Sequence, residues 1–243
     1  MRLALVSDIH GNLPALEAVV KDMQGRGVDA VINLGDSLSG PLMPLETAQF
    51  LMAQDWVHLA GNHERQLLAS AAKGLSDEFA YSQLGEVELA WLATLQPCQA
   101  YSPEILLCHG TPNSDKAYLL ETLADGQMRM ATAAEIRSRL GEQSAELIAC
   151  GHTHIPRSIR TMKGQLIVNP GSVGLPAYED SQPFYHQVEN SSPDARYAIV
   201  EQQKNNWQSL LISVAYKHKA MAKLAQARGR ADWASALMSG YMP

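Results

Sequence analysis

The chain has 243 residues, 46% of them hydrophobic and 18% charged, with a formal net charge of −6. That composition excludes a disordered protein. The acidic balance argues against long nucleic acid as a partner, because the most basic stretch is the modest Lys217–Lys223 and polyanion binders carry a clustered basic face.

In chain order, Leu3–Val6 reads as a fully apolar strand. Leu13–Met23 follows with Leu13, Leu16, Val19, Val20 and Met23 at helical spacing. Ala30–Leu34 is a strand, Leu45–Ala53 a helix, Trp56–Leu59 a strand and Arg65–Ala72 a helix. This alternation predicts parallel strands covered by helices, an α/β fold. A helix around Glu86–Leu95 is stopped by Pro97. Ile105–Cys108 resumes the sheet. Residues 111–145 are expected to be mostly helical, as a rim or lid, with Thr132 and Glu135 forming a capping box and Gly141 ending that helix. Strands follow at Glu146–Ala149, Gln165–Val168, Arg196–Glu201 and Trp207–Val214, the last two as a hairpin turning at Lys204–Asn206. Residues 176–195 read as an exposed loop. Residues 215–243 carry two helices, near Tyr216–Arg228 and Trp233–Met238, whose Leu/Ala/Trp pattern reads as core packing. With no linker or repeat, one domain over 1–243 is expected.

No apolar run approaches the roughly 20 residues of a membrane span, so no membrane partner is expected. The N-terminus opens directly on a strand and leaves no room for a signal peptide. Cys98, Cys108 and Cys150 lack paired zinc-ligand spacing and read as free thiols of a reducing compartment. The expected location is cytoplasmic.

Metal-competent side chains follow the apolar runs. They sit in SDIHGN (7–12), LGDS (34–37), AGNHER (60–65), CHGTP (108–112) and CGHTH (150–154). In an open α/β sheet, ligands gather at the carboxyl ends of strands, so these points should converge. Asp8 and His10, like His152 and His154, are two apart, which on an extended chain puts both side chains on one side. Carboxylate, imidazole and amide oxygen without thiolate suit Mn, Fe, Ni, Co or Zn. Asp8, His10, Asp36, Asn62, His109, His152 and His154 are too many ligands for one ion and enough for two. Metal pairs about 3.5–4 Å apart clamp an in-line displacement at phosphorus. Taken singly, His109 is a structural histidine, Asp8 a helix cap and Gly35-Asp36 a turn; the ordered set is what carries the reading.

The segments resemble the signature of the calcineurin-like metallophosphoesterase superfamily: D-x-H, G-D, G-N-H-[DE], H, then G-H-x-H. The small bacterial and archaeal phosphodiesterase branch is most similar, with Asn169–Gly174 (NPGSVG) matching text after its G-H-x-H strand. The resemblance implies a four-layer α/β/β/α sandwich. It implies that Asp8, His10 and His154 hold one divalent ion, manganese foremost, that Asn62, His109 and His152 hold a second, and that Asp36 bridges them. It also implies in-line attack by a metal-bridging hydroxide, with His63 as phosphate contact and general acid, a role suited to a group titrating near about 6.5. On an extended chain His63 points away from Asn62.

The implied substrate is a small phosphodiester, with nucleotide-type compounds compatible. Related proteins carry the label diadenosine tetraphosphatase by fold analogy alone. The alternatives are a phosphomonoesterase, acting on a small molecule or a phosphoprotein, and a catalytically silent scaffold. GDSLSGP (35–41) lacks the Asp–Arg pair of phosphoprotein phosphatases and is one residue shorter than G-D-x-V-G-x-G-P of the small branch. His58 reads as structural, and His186 and His218 as surface residues. Glu64 and Arg65 read as making local pairs, Asn169–Ser172 as a turn supporting the site, and Tyr118 as a candidate pocket wall.

Overall fold

Strands that are apolar at every position need cover on both faces, and that demand organises the molecule. A computed structural model describes residues 1–204 and 206–243. In chain order the elements are β1 (Arg2–Val6), α1 (Leu13–Gln24), β2 (Ala30–Asn33), α2 (Pro44–Met52), β3 (Val57–His58), α3 (Asn62–Leu68), α4 (Leu75–Gln83) and α5 (Glu86–Leu92). There follow β4 (Cys98–Ser102), β5 (Ile105–Cys108), β6 (Glu121–Ala124), β7 (Gln127–Met130), α6 (Ala133–Leu140), β8 (Leu147–Ala149), β9 (Arg157–Arg160) and β10 (Leu166–Asn169). The chain closes with β11 (Ala177–Asp180), β12 (His186–Glu189), β13 (Ala195–Gln203), β14 (Asn206–Val214), α7 (His218–Ala227) and α8 (Ala231–Ser239).

Two five-stranded sheets form, in the orders β14-β13-β1-β2-β3 and β4-β5-β8-β10-β9. Strands β1, β2 and β3 are parallel, as are β5, β8 and β10. The flanking β13, β4 and β9 run antiparallel to their inner neighbours. Leu3 and Leu5 of β1 and Ile32 of β2 share one buried cluster with Ile105 and Leu107 of β5 and Leu147 of β8, so the sheets stack through these faces. The alternating residues Ala4 and Val6 face the other way, under Leu16 and Val19 of α1 and Leu51 of α2. In the second sheet Leu106 and Cys108 turn outward beneath Ile136 and Leu140 of α6. Each buried leucine of this kind stabilises the fold by about 1.5–3 kcal/mol. The layers are therefore helix, sheet, sheet, helix. The α7–α8 pair buries Met221, Trp233 and Leu237 against Leu42 and Leu175, the core packing expected of its pattern.

Several local expectations are corrected. Residues 111–145 are helical only over α6, where the Thr132–Glu135 box and a Gly141 of positive φ are present. The segment before it is the β6–β7 hairpin. Asp125 and Gly126 carry it, with φ of 53° and 73°, the two left-handed residues of a type I′ turn. Residues 176–195 contain a second hairpin, β11–β12, in which His186 and Val188 alternate inward on the same face as Tyr178. His186 is thus 6% exposed and is not a surface residue; both ring nitrogens have hydrogen-bond partners. His58 packs between Trp56 and Trp91, in keeping with a structural part. The β13–β14 hairpin is present; Asn205 of its expected turn lies outside the described residues. The cysteines are free, and among the described residues no helix is long and apolar enough to cross a membrane.

Candidate metal centre

The carboxyl ends of β1, β2, β3, β5 and β8 open onto one region, and the loops there are laced to one another. Asp8 N–H donates to Gly35 O at 2.9 Å, His10 N–H to Asp36 O at 3.1 Å, and Gly151 N–H to His109 O at 2.7 Å. The backbone is not extended. Asp8, His10, Asp36, His152 and His154 have φ of 55°, 52°, 53°, 69° and 59°, a left-handed region that costs an L-residue about 1–2 kcal/mol. This overturns the extended geometry expected for each i, i+2 pair, and the pair at β8 splits. His154 joins Asp8 and His10 in one group of ligand atoms within 4.8 Å of one another, while His152 joins Asp36 and His109 in a second. Each group takes side chains from both sheets. Asn62 adjoins the second, its Oδ1 3.3 Å from His109 Nε2.

The hydrogen-bond pattern shows what these groups lack. His10 Nδ1 donates to Ser39 O at 2.8 Å and His154 Nδ1 to Leu175 O at 2.7 Å. In neutral imidazoles both Nε2 atoms are then acceptors, yet they lie 3.1 Å apart. Asp8 Oδ1 beside them is buried with no hydrogen-bond partner. In the second group His109 Nδ1 donates to Leu34 O at 2.9 Å, and its Nε2 faces Asp36 Oδ2 at 3.1 Å. His152 uses Nε2 on Lys116 O at 3.0 Å, which leaves Nδ1 for the group. Acceptors aimed at acceptors in a buried site need cations between them. The donor chemistry of both groups therefore fits divalent metal ions.

The titration behaviour of His10 and His152 agrees, while on His109 a proton takes the cation's place. Burial, aided by the neighbouring His154, pulls His10 down to about 3. Burial and His109 pull His152 down to about 4. Both imidazoles thus stay neutral and free to coordinate. Burial also lowers His109, but the Asp36 charge outweighs it and pushes the pKa up to about 10. The Asp36 carboxyl itself is held well below its ordinary range, the imidazoles of His109 and His63 overcoming its burial.

His63 lies in the first turn of α3 rather than on an extended chain. Its N–H donates to Asp36 Oδ1 at 2.9 Å and its Nδ1 pairs with Asp77 Oδ1 at 2.8 Å, so Nε2 is the nitrogen left for a ligand. Burial opposes its protonation, but Asp36 and Asp77 prevail and raise the pKa to about 9. His63, His10 and Asp36 line a cleft of about 930 Å³.

The model sequence of the calcineurin-like phosphoesterase superfamily domain matches residues 1–192. The chain belongs to this family. As a metallophosphoesterase it is a metal-dependent phosphoric ester hydrolase. A probable metallophosphoesterase of Bacillus subtilis, YsnB, is 24% identical over 203 residues, 81% of this chain and 90% of that protein. A metallophosphoesterase structure from Sphaerobacter thermophilus superposes with a TM-score of 0.79 at 22% identity, covering 99% of each chain. A hypothetical protein of Pyrococcus horikoshii superposes at 0.74 with 16% identity, over 100% of this chain and 99% of that one.

Within this metallophosphoesterase site, several residues carry positions that sequence reasoning did not assign. Glu64 does not make a local pair alone. It is fully buried and accepts the N–H groups of Asp36, Ser37 and Gly61 at 2.8, 2.7 and 2.6 Å, so it caps its own helix and fixes the Asp36 loop. Arg65 reaches across to Asp115 at 2.6 Å. A Cβ on Gly61 would enter the Asp36 carboxylate, which explains a glycine before Asn62. Asp77 comes from α4, with no local signal linking it to His63. Asn169 and Ser172 stand behind the site: Asn169 Nδ2 donates to Gly151 O at 2.8 Å and Ser172 Oγ to Asp8 O at 2.7 Å. Tyr118 does line the cleft.

Proposed function

We propose that this metallophosphoesterase hydrolyses a small phosphodiester, with Asp8, His10 and His154 holding one divalent ion, Asn62, His109 and His152 a second, and Asp36 shared between them. The observation that carries the reading is the pair of acceptor-lined groups, above all the His10 and His154 Nε2 atoms 3.1 Å apart with both Nδ1 atoms committed as donors. When bound, two such ions supply an activated water and neutralise phosphate charge. We take manganese as the ion, and the oxygen and nitrogen donor set is compatible with it as with Fe, Ni, Co and Zn. His63 stands beside Asp36 and His10, with a ring centroid 5.5 Å from that of His10. Through Nε2 it hydrogen-bonds a phosphoryl oxygen and gives a proton to the departing alkoxide, while Asp77 fixes the ring and stabilises its cationic form.

The lining of the cleft runs from Lys73 and Ser76, close in sequence to Asp77, to Tyr178 against His154. That breadth accommodates an alcohol on each side of phosphorus and supports a diester over a monoester. We place the reaction in the cytoplasm on the strength of the free thiols, and a small phosphoester, nucleotide-like compounds included, is the expected partner. The test is hydrolysis of bis-p-nitrophenyl phosphate beside p-nitrophenyl phosphate with Mn²⁺ and with chelator. Metal-dependent preference for the diester supports the reading; preference for the monoester, or rates unaffected by chelation, would refute it.

A further inference from the structure

Beside the ligand groups, a hydrogen-bonded trio reaches the cleft through two tyrosines, and its proton order is set at the far end, behind the cleft wall. His186 Nδ1 is 2.9 Å from Phe184 O. A carbonyl only accepts, so Nδ1 carries the hydrogen, and in the neutral imidazole Nε2 is an acceptor. Tyr118 Oη, 3.0 Å from that Nε2, must donate to it. Its single hydrogen is then spent, so Tyr178 Oη, 2.8 Å away, donates to Tyr118 in turn. Both phenols line the cleft. With both hydrogens directed along the chain toward His186, the pair offers the cleft only oxygen lone pairs. Glu179 and Asp180, which follow Tyr178 on β11, line the same cleft and add acceptors.

The trio sits next to the chemistry. The Tyr178 ring lies edge-on to His154 with centroids 4.6 Å apart, and the Tyr118 ring edge-on to His152 at 5.1 Å, one tyrosine for each ligand group. A substrate group bound there is only a few atoms removed from phosphorus. We propose that Tyr178 and Tyr118 form an acceptor site for a hydroxyl on the alcohol portion of the substrate, so that the enzyme selects phosphodiesters of polyhydroxy alcohols over those of simple alcohols. This rests on the diesterase reading above and deepens it. A donor on the substrate completes the chain into His186. An alcohol without one leaves the oxygens unpaired against its apolar carbon, and a site built to hydrogen-bond a hydroxyl discriminates against its absence for that reason.

The experiment compares p-nitrophenyl 3-hydroxypropyl phosphate with p-nitrophenyl propyl phosphate in Mn²⁺, for the wild type, Tyr178→Phe and Tyr118→Phe. The wild type is expected to favour the hydroxylated ester in kcat/KM by about three- to tenfold, the effect of one net hydrogen bond. Tyr178→Phe should bring the ratio to about one. Tyr118→Phe frees the Tyr178 hydrogen, so its ratio should fall and the 3-methoxypropyl ester, an acceptor, should gain on the propyl ester. Partial loss of fold or metal slows both esters alike and leaves the ratio unchanged. A wild-type ratio near one, or a ratio that survives in both variants, would overturn the proposal. Failure to cleave either ester would instead sink the diesterase reading. Calorimetric dissociation constants of 3-hydroxypropyl phosphate and propyl phosphate on the Mn²⁺-loaded protein then carry the same comparison. Tighter binding of the former, lost in Tyr178→Phe, supports the acceptor site, and equal binding by the wild type refutes it.

Discussion

Asp77 Oδ1 lies 2.8 Å from His63 Nδ1, and the two residues come from different helices, α4 and α3. The carboxylate fixes which nitrogen of His63 faces the cleft and which carries the far proton. Asp77→Ala should therefore lower kcat by about 10- to 100-fold, in the range of partners that orient a catalytic histidine, with a smaller effect on KM. Metal content by elemental analysis should stay at the wild-type level. Loss of metal with the activity would show that Asp77 organises the ligand loops rather than His63.

Asp36 is the carboxylate that acts on both sides of the centre: its charge raises His109 in one group and favours protonation of His10 in the other. Asp36→Asn is expected to weaken both ions together, with activity in limiting Mn²⁺ falling at least about 100-fold. Titration of apo-protein with Mn²⁺, followed by calorimetry, distinguishes this from loss at one position. Retention of one full-affinity ion would remove Asp36 from the shared role.

Glu64 accepts three backbone N–H groups while fully buried. Glu64→Gln keeps the shape but replaces one accepting oxygen by an NH₂ that faces N–H donors. The expected cost is about 1–3 kcal/mol, the penalty for stranded buried donors, visible as a lower denaturation midpoint even in the metal-free protein. An unchanged midpoint would mean that the Asp36 loop does not depend on this carboxylate.

The metal-free protein should have a bell-shaped dependence of stability on pH. His10 and His152 have folded pKa values lowered to about 3 and about 4. Between those values and 6.5 the unfolded chain binds more protons, so stability rises with pH there. His63 and His109 are raised to about 9 and about 10. Their contribution is fully present below 6.5 and is lost as pH rises through those values. Denaturant titrations in chelator at intervals from pH 4 to 10 should place the maximum near neutrality. A monotonic profile would contradict these four assignments taken together. Added Mn²⁺ should broaden the plateau on the alkaline side, because cations replace the protons that Asp36 attracts.

Sequence legibility followed locality. The strand-end ligands were readable because each follows its own apolar run, as Asp8 follows Leu3–Val6, and because β-strand ends in an α/β sheet converge for topological reasons. The two-sheet layering was readable only through family resemblance, since the facing of Leu5 toward Leu107 is a tertiary fact. The backbone of Asp8 and His10 departs from the extended expectation because the strand ends before them and the chain turns left-handed there. Glu64 stands three residues after Gly61, the spacing of a capping box, but a glycine offers no side chain to complete the pattern. Asp125-Gly126 is a hairpin signal in its own right, and the expectation of helix over residues 111–145 did not draw on it. The links from His63 to Asp77 and from Tyr118 to Tyr178 join distant segments, and no local pattern announces them.

Each ligand group draws on both sheets: Asp8 and His10 from the first meet His154 from the second, and Asp36 from the first meets His109 and His152 from the second. A cation in either group would thus be a rivet through the sandwich, fastening two layers otherwise joined by leucine and valine contacts. Shear of one sheet against the other would strain coordination at both points. Bound cations would therefore add to the stability of the metal-free fold, and by mass action the free metal concentration would set how much.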